Sequence, residues 1–282
     1  MIALCPNPYR DIELALTLEI RDLLRKNGYE TVIFPVFAGK DSNVIPPEVE
    51  ICNTLDEFLS HITLAVVIGG DGTILSVSHE IFENEIPILG INLGTKGFMA
   101  PVEPDEIYLV LKAARGEYRL SRRMMLDVFL ERNGIAEYKG SALNDAVIHG
   151  YGDTIKIDAF SDDVAVTSFA GDGIILSTPT GSTGYSMSAG GPITEPEAEC
   201  IVVSPICAHS LNARTFVLSH KRKVSVYVGR LNEKRAYLSI DGNLNIDLQN
   251  EDAVIVRESG CRILMADPGE KSFYQTVFMK LE

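Results

Sequence analysis

The stretch Leu64-Ala65-Val66-Val67-Ile68-Gly69-Gly70-Asp71-Gly72-Thr73-Ile74-Leu75 sets one carboxylate among three glycines, between a wholly apolar run and a helix start. Glycines there let a backbone approach a ligand with no Cβ in the way. Free N–H groups at a helix N-terminus favour a bound anion such as phosphate, so the main chain at Gly69, Gly70 and Thr73 is the expected phosphate cradle. Anion binding alone has no use for Asp71, whose charge would repel the phosphate. A carboxylate in that place instead accepts a proton from, or orients, a hydroxyl that attacks phosphorus, or it reaches a metal. Gly-Asp-Gly by itself also reads as a tight turn with Asp71 capping the helix, but the whole strand-turn-helix string is more specific. It matches neither G-x-x-x-x-G-K-[ST] nor G-x-G-x-x-G, so neither familiar nucleotide fingerprint explains it.

A second glycine-rich constellation runs from Gly171-Asp172-Gly173 to Gly190-Gly191-Pro192. Between Thr178 and Ser188 it holds six Ser or Thr residues and Tyr185. Such a loop suits hydrogen bonding to sugar and base edges, although Ser/Thr/Gly-rich stretches are commonly plain loops. Asn144-Asp145 and Asp241-Gly242-Asn243 each read alone as turns. The five histidines are scattered without ligand spacing, so no protein metal site is expected. Ser182 and Ser186 have no recognisable His/Asp partner, which disfavours nucleophilic catalysis. Lys96, Arg122-Arg123 and Lys221-Arg222-Lys223 read as solvated cations.

These residues need elements to hold them. Up to about residue 118, short apolar runs (2–5, 31–37, 64–68, 88–92) alternate with helix-period stretches. The clearest, 10–27, has Ile12, Leu16, Ile20, Leu23 and Leu24 on one face and Gly28 as its stop. Thr54 and Glu57 offer a capping box for a short helix. Continuous apolar strands separated by helices imply a parallel sheet covered on both faces. From Met124 to Met265, runs rich in Val, Ile, Thr and Tyr are broken by Gly, Asp and Asn, which reads as all-β. The expected strands are 124–131, 146–149, 154–160, 164–169, 173–177, 201–205, 224–228, 236–240 and 253–258. Phe273, Val277, Phe278 and Leu281 give residues 271–281 a helical spacing. The expected division is therefore 1–118, an α/β domain carrying the Gly-Gly-Asp-Gly-Thr turn; 119–266, a β-rich domain; and 267–282, a segment returning to the first.

Composition narrows the classes. The chain has 282 residues and a formal charge of −14, which repels phosphate backbones at long range and disfavours non-specific nucleic-acid or anionic-membrane binding. A phosphate ligand must be held locally. Five cysteines with no C-x-x-C pair read as reduced thiols. No signal-like N-terminus or membrane-length apolar run is present, so a cytoplasmic location is expected.

In order along the chain, these segments resemble the NAD kinase family. The strings are Gly69-Gly70-Asp71-Gly72-Thr73, Gly90-Ile91-Asn92 with Gly97-Phe98, Arg123-Met124-Met125-Leu126, Leu143-Asn144-Asp145, the Asp172 to Pro192 run, His209-Ser210-Leu211 through Arg214, and Asp241-Gly242. The resemblance implies an α/β N-terminal domain joined to a β-sandwich-like C-terminal domain, and ATP-dependent phosphorylation of the 2′-hydroxyl on the adenosine ribose of NAD, giving NADP, with Mg²⁺ arriving on the nucleotide. Asp71 would be the proton acceptor, with Gly72 on the same contact surface. Asn144 and Asp145 would contact NAD, with Asp172 near it. Thr183, Gly184, Tyr185 and Ser188 would line the adenosine and ribose pocket, and Asn243 would be a polar contact. A homodimer or homotetramer is expected, with no nucleic-acid or membrane partner. Three positions depart from the family's usual pattern: Asp145 stands where Glu is frequent, Gly184 where Ala is common, and Ala170 where a basic side chain often occurs. The readings to be beaten are another Gly-Gly-Asp-Gly kinase acting on a sugar phosphate or lipid, and a dinucleotide sensor without turnover. Inorganic polyphosphate as donor and NADH as acceptor remain open on sequence alone.

Overall fold

The computed structural model describes residues 1–37, 44–94, 97–269 and 272–281; Lys96 and Lys271 lie outside them. The chain divides into two compact units, Met1–Arg122 with Ile263–Glu282, and Arg123–Arg262.

The first unit is built from β1 (Ile2–Pro6), α1 (Ala15–Lys26), β2 (Thr31–Ile33), β3 (Leu64–Gly69), α2 (Asp71–Ile81), β4 (Ile88–Asn92) and α3 (Tyr108–Ala114). The strands pair in parallel in the order β2-β1-β3-β4. Every residue of β1, β3 and β4 is buried, which is why these strands read as unbroken apolar runs. Ile20 and Leu24 of α1 and Leu109 and Val110 of α3 pack with Leu4, Val66 and Leu89 in one core. Parallel order places the carboxyl ends of β1, β3 and β4 side by side, so the loops that follow them share one edge of the sheet.

Three local expectations are corrected. The first helix begins at Ala15 rather than near Arg10, because the buried Asp11 carboxylate takes the N–H groups of Leu16 (3.0 Å) and Thr17 (2.9 Å) and fixes the start there. Ile12 falls outside the helix and is 66% exposed. β2 stops at Ile33, although Phe34 and Val36 still donate to Leu4 and Pro6; Pro35 between them has no N–H to give. Thr54 accepts from the Asp56 N–H at 3.2 Å, but the segment forms turns and no helix.

The second unit follows as β5 (Arg119–Arg132), which starts in the first, β6 (Ile135–Ala142), β7 (Asp145–Gly150), β8 (Ile155–Ser161), β9 (Val164–Gly171), β10 (Gly173–Ser177), the short α4 (Tyr185–Ser188), β11 (Cys200–Ile206), β12 (Phe216–Ser219), β13 (Val224–Val228), β14 (Ala236–Ile240), β15 (Leu244–Leu248) and β16 (Ala253–Asp267). One sheet runs β12-β11-β10-β7-β14-β15, antiparallel throughout. Opposite it lie β8, β9, β13 and the first part of β16, with β5 and β6. Leu126, Ile157 and Val254 from one layer meet Ile148, Ile174 and Leu238 from the other, so the unit is a sandwich. β6, β12 and β15 are additions to the sequence reading. The first half of β6 is exposed, β12 alternates, and β15 carries Asn245 and Asp247; all three lack the apolar run of a central strand. Past Arg262, β16 re-enters the first unit, where Met265 pairs in parallel with Ile88, and α5 (Phe273–Leu281) closes the described chain. No described helix is long and apolar enough to cross a membrane.

Candidate active site

β3 delivers the chain to Gly70, whose extended backbone (φ −128°, ψ −173°) opens α2 at Asp71. Inside the turn, the buried Thr73 hydroxyl accepts from the Gly70 N–H and from the Asn7 side chain, each at 3.4 Å. The Thr73 N–H donates to the Gly70 carbonyl at 2.9 Å. Of the residues expected to cradle phosphate, Gly69 is strand, while Gly70 and Thr73 spend their N–H groups within the turn. No described residue accepts from the N–H groups of Asp71 and Gly72, which makes these two the donors left for an anion.

The Asp71 carboxylate is held from the loop after β4. Phe98 donates its N–H to Oδ2 at 2.8 Å and Met99 donates to Oδ1 at 3.1 Å. Each oxygen keeps a second lone pair, so the group is oriented and still able to accept a proton. Burial raises its pKa above the ordinary carboxylate value, against the lowering effect of the two N–H donors and of the Lys280 ammonium on α5. A Cβ on Gly97 would lie 2.9 Å from Asp71 Oδ1 and 3.2 Å from Asn92 Oδ1, so the holding loop must carry glycine there. Asn92, buried at the end of β4, accepts from the Gly94 N–H at 3.0 Å and supports the same loop. Sequence reading assigned Asn92 no role, although the string Gly90-Ile91-Asn92 contains it.

In the second unit, Asp241 gathers the turn before β7. Its carboxylate accepts the N–H groups of Leu143 (2.7 Å), Asn144 (2.8 Å) and Asp145 (2.9 Å). From the other side, Thr178 donates its N–H to the Asn144 carbonyl at 2.8 Å and its hydroxyl to the Leu143 carbonyl at 2.5 Å. Gly181 sits so close that a Cβ there would collide with the Asn144 backbone. Within this packed cluster, Asn144 Oδ1 and Thr180 Oγ1 are buried with no hydrogen-bond partner among the described residues. Buried polar atoms without partners are rare, and these two have the capacity to accept from a ligand. Asp241, Thr178 and Thr180 were missed as site residues; all three lie in the strings that carried the resemblance.

The other expected residues divide. Tyr185 is 41% exposed; burial of its remainder raises its hydroxyl pKa, helped by the proximity of Tyr237, Cys207, Asp172 and Asp145. Asp172 also accepts a hydrogen bond from the Cys207 thiol. Thr183 donates to the Thr180 carbonyl at 3.3 Å. Ser188 is exposed at the end of α4, and Asn243 is exposed in the β14–β15 turn; neither side chain bonds to a described residue. At Gly184 a Cβ would come within 3.2 Å of the Gly181 carbonyl oxygen. Ala170 contributes its carbonyl to the His209 N–H at 2.8 Å. Beside pocket-lining Cys207, a cavity of about 620 Å³ is bounded by Ala189, Pro205, Ser210 and Arg214.

His220, read as an isolated histidine, stands between Glu258 (2.6 Å) and Glu199 (3.3 Å), and Glu258 also pairs with Arg262. This is the one group of three candidate metal ligands among the described residues, and its atoms already satisfy one another.

Asp145 is 6% exposed, and burial, aided by the neighbouring Asp241 charge, pushes its pKa up to about 7. Between the ordinary carboxylate pKa and that value, the folded chain keeps a proton that the unfolded chain releases, so stability falls as pH rises through this window. Asp145→Asn is therefore expected to melt higher than wild type at pH 8, by several degrees, with the difference vanishing below about pH 4. Thermal melts across pH 3.5–8.5 check this; a constant difference at all pH values would contradict it.

Two family models match: the ATP-NAD kinase N-terminal domain over residues 4–117 and the ATP-NAD kinase C-terminal domain over residues 143–265. The chain is 35% identical over 290 residues to the NAD kinase of Lachnoclostridium phytofermentans, covering 97% of this chain and 96% of that one. It is 40% identical over 222 residues to that of Geobacter sulfurreducens, covering 78% of each. Among solved structures, yeast NADH kinase complexed with NADH matches with a TM-score of 0.87 and 25% identity, over 99% of this chain and 86% of that chain. An Archaeoglobus fulgidus NAD kinase in complex with ATP shares the fold, with a TM-score of 0.77 and 24% identity, over 100% of this chain and 98% of that chain. With both halves matched and a relative above 30% identity along nearly its whole length, the chain belongs to the NAD kinase family.

Proposed function

We propose that this NAD kinase transfers the terminal phosphoryl group of ATP to the 2′-hydroxyl of the adenosine ribose of NAD, forming NADP, with Asp71 as the proton acceptor. The observation that carries the residue assignment is the doubly held Asp71 carboxylate at the carboxyl end of β3, next to unspent N–H groups. Fixed orientation spares the reorganisation that a free side chain would undergo, and a raised pKa improves a carboxylate as a base. The N–H groups of Asp71 and Gly72 draw the donor phosphates to that end of the helix. Asn144, Asp145 and Thr180 present acceptors for the ribose hydroxyls and adenine amine of the dinucleotide, with Tyr185 and Asp172 beside them.

Each oxygen of Asp71 already accepts one backbone N–H, and the described residues gather no cage of carboxylates at the turn. That donor set fits a divalent cation carried in by the nucleotide, which supplies charge neutralisation on the phosphates when bound. The proposal includes a cytoplasmic location and assembly as a homodimer or homotetramer.

Family membership sets aside sugar-phosphate and lipid acceptors. A sensor without turnover has no need of an oriented carboxylate at the turn. The test is to supply NAD, ATP and Mg²⁺ and measure NADP. Tight NAD binding in calorimetry with no product would overturn the reading in favour of the sensor. Parallel reactions with tripolyphosphate and with NADH identify the donor and acceptor ranges.

A further inference from the structure

A triphosphate brings several negative charges to a protein whose own formal charge is −14, and the turn offers it only two N–H dipoles and a carboxylate. Full positive charge is needed at the same edge of the sheet. The loop after β1, Asn7-Pro8-Tyr9-Arg10-Asp11, supplies it. Asn7 ties this loop to the turn: its N–H donates to the Ile68 carbonyl (2.8 Å) and its side chain to the Thr73 hydroxyl. The Asn7 carbonyl in turn accepts the Arg10 N–H at 3.0 Å. The guanidinium then reaches the loop after β4, where Nη1 donates to the Leu93 carbonyl at 3.2 Å, and Leu93 donates back to the Gly69 carbonyl at 2.6 Å.

Arg10 is therefore held by its own loop and by the loop after β4, both of which are tied to the turn after β3, yet its side chain is exposed and only one of its five side-chain N–H groups bonds to a described residue. The neighbouring Asp11 does not pair with it, because that carboxylate is buried on Leu16 and Thr17. Among the described residues Arg10 has no ion pair. A Cβ on Gly94 would lie 3.7 Å from Arg10 Nη1 and 3.4 Å from Asn92 Oδ1, while one on Gly97 would lie 3.2 Å from that same Asn92 oxygen and 2.9 Å from Asp71 Oδ1. The Asn92 side-chain oxygen is thus near both the guanidinium and the proposed base.

We infer that Arg10 clamps the terminal phosphates of the donor, a linear triphosphate, beside Asp71. This rests on the proposed phosphoryl transfer. A planar fork with free N–H groups binds adjacent phosphate oxygens in two places, which fixes the phosphorus rather than merely attracting it.

The experiment compares wild type, Arg10→Ala and Arg10→Lys with two donors, ATP and inorganic tripolyphosphate, reading donor and acceptor KM together with ligand-induced thermal shifts. Arg10→Ala should raise the KM for ATP about ten- to a hundredfold and abolish the ATP-induced shift, with the NAD KM and NAD-induced shift unchanged. Arg10→Lys should recover part of the loss, since it restores charge without the fork. The tripolyphosphate-induced shift should weaken equally in Arg10→Ala. A wild-type ATP KM and ATP-induced shift in Arg10→Ala would overturn the inference, and so would an effect confined to ATP, which would mean that Arg10 reads the nucleoside. Absence of NADP from the wild type defeats the proposed function instead, and the thermal shifts with ATP still report on Arg10.

Discussion

Asp71→Asn is expected to lower kcat by about 10²- to 10⁴-fold with little change in either KM. The substitution keeps the shape of the side chain and removes its ability to take a proton. Whichever way the amide turns, one of the two N–H donors, Phe98 or Met99, faces an NH₂ and loses its acceptor, a loss of about 1 kcal/mol. Removing a buried charge works in the opposite direction, since burial is what raises the Asp71 pKa. The folded state should therefore survive, and a melting temperature near wild type separates lost chemistry from lost structure. Steady-state kinetics with saturating donor and acceptor measure the effect. A variant that keeps wild-type turnover would remove Asp71 from the role of base.

Asp241→Ala should be the most damaging change in the dinucleotide half. The buried carboxylate serves three consecutive N–H groups, and alanine leaves all of them without an acceptor in a region closed by Thr178 and Gly181. At about 1–3 kcal/mol for each unsatisfied buried donor, a loss of at least ~3 kcal/mol in stability is expected. The turn that presents Asn144 and Asp145 would loosen with it, weakening NAD binding about a hundredfold. Asp241→Asn is the milder probe. Its amide oxygen can still serve Asn144 and Asp145, which share Oδ1, but the amide nitrogen opposes the Leu143 N–H. The neutral side chain also relieves Asp145, so the pH dependence of stability should flatten. Calorimetric titration with NAD and thermal melts check both variants; wild-type affinity in Asp241→Ala would show that the turn holds itself.

The division between what could and could not be read in the sequence follows the range of the interactions. Asp71 stood out because its chemistry is local: an apolar strand, glycines and a helix start adjoin it in the chain. Its anchors, Phe98 and Met99, are 27 and 28 residues away, and nothing in their residue types announces a backbone donor. Asp241 acts on residues 96 to 98 positions earlier, so it looked like an ordinary turn aspartate. The central strands of both units were visible because full burial leaves an unbroken apolar run. β6, β12 and β15 were not, since a half-exposed strand carries the same residues as a loop. The N–H groups of Gly70 and Thr73 were opaque for a related reason: a main-chain donor that closes a turn and one that meets a phosphate have the same sequence signature, and only the structure shows these two used within the turn.

A crystal structure with NAD and a non-hydrolysable ATP analogue tests the central claim most directly. The adenosine 2′-oxygen should lie about 2.6–3.2 Å from a carboxylate oxygen of Asp71, with the terminal phosphate at the N–H groups of Asp71 and Gly72. A ribose bound elsewhere, with Asp71 facing only solvent and its two backbone donors, would contradict the account.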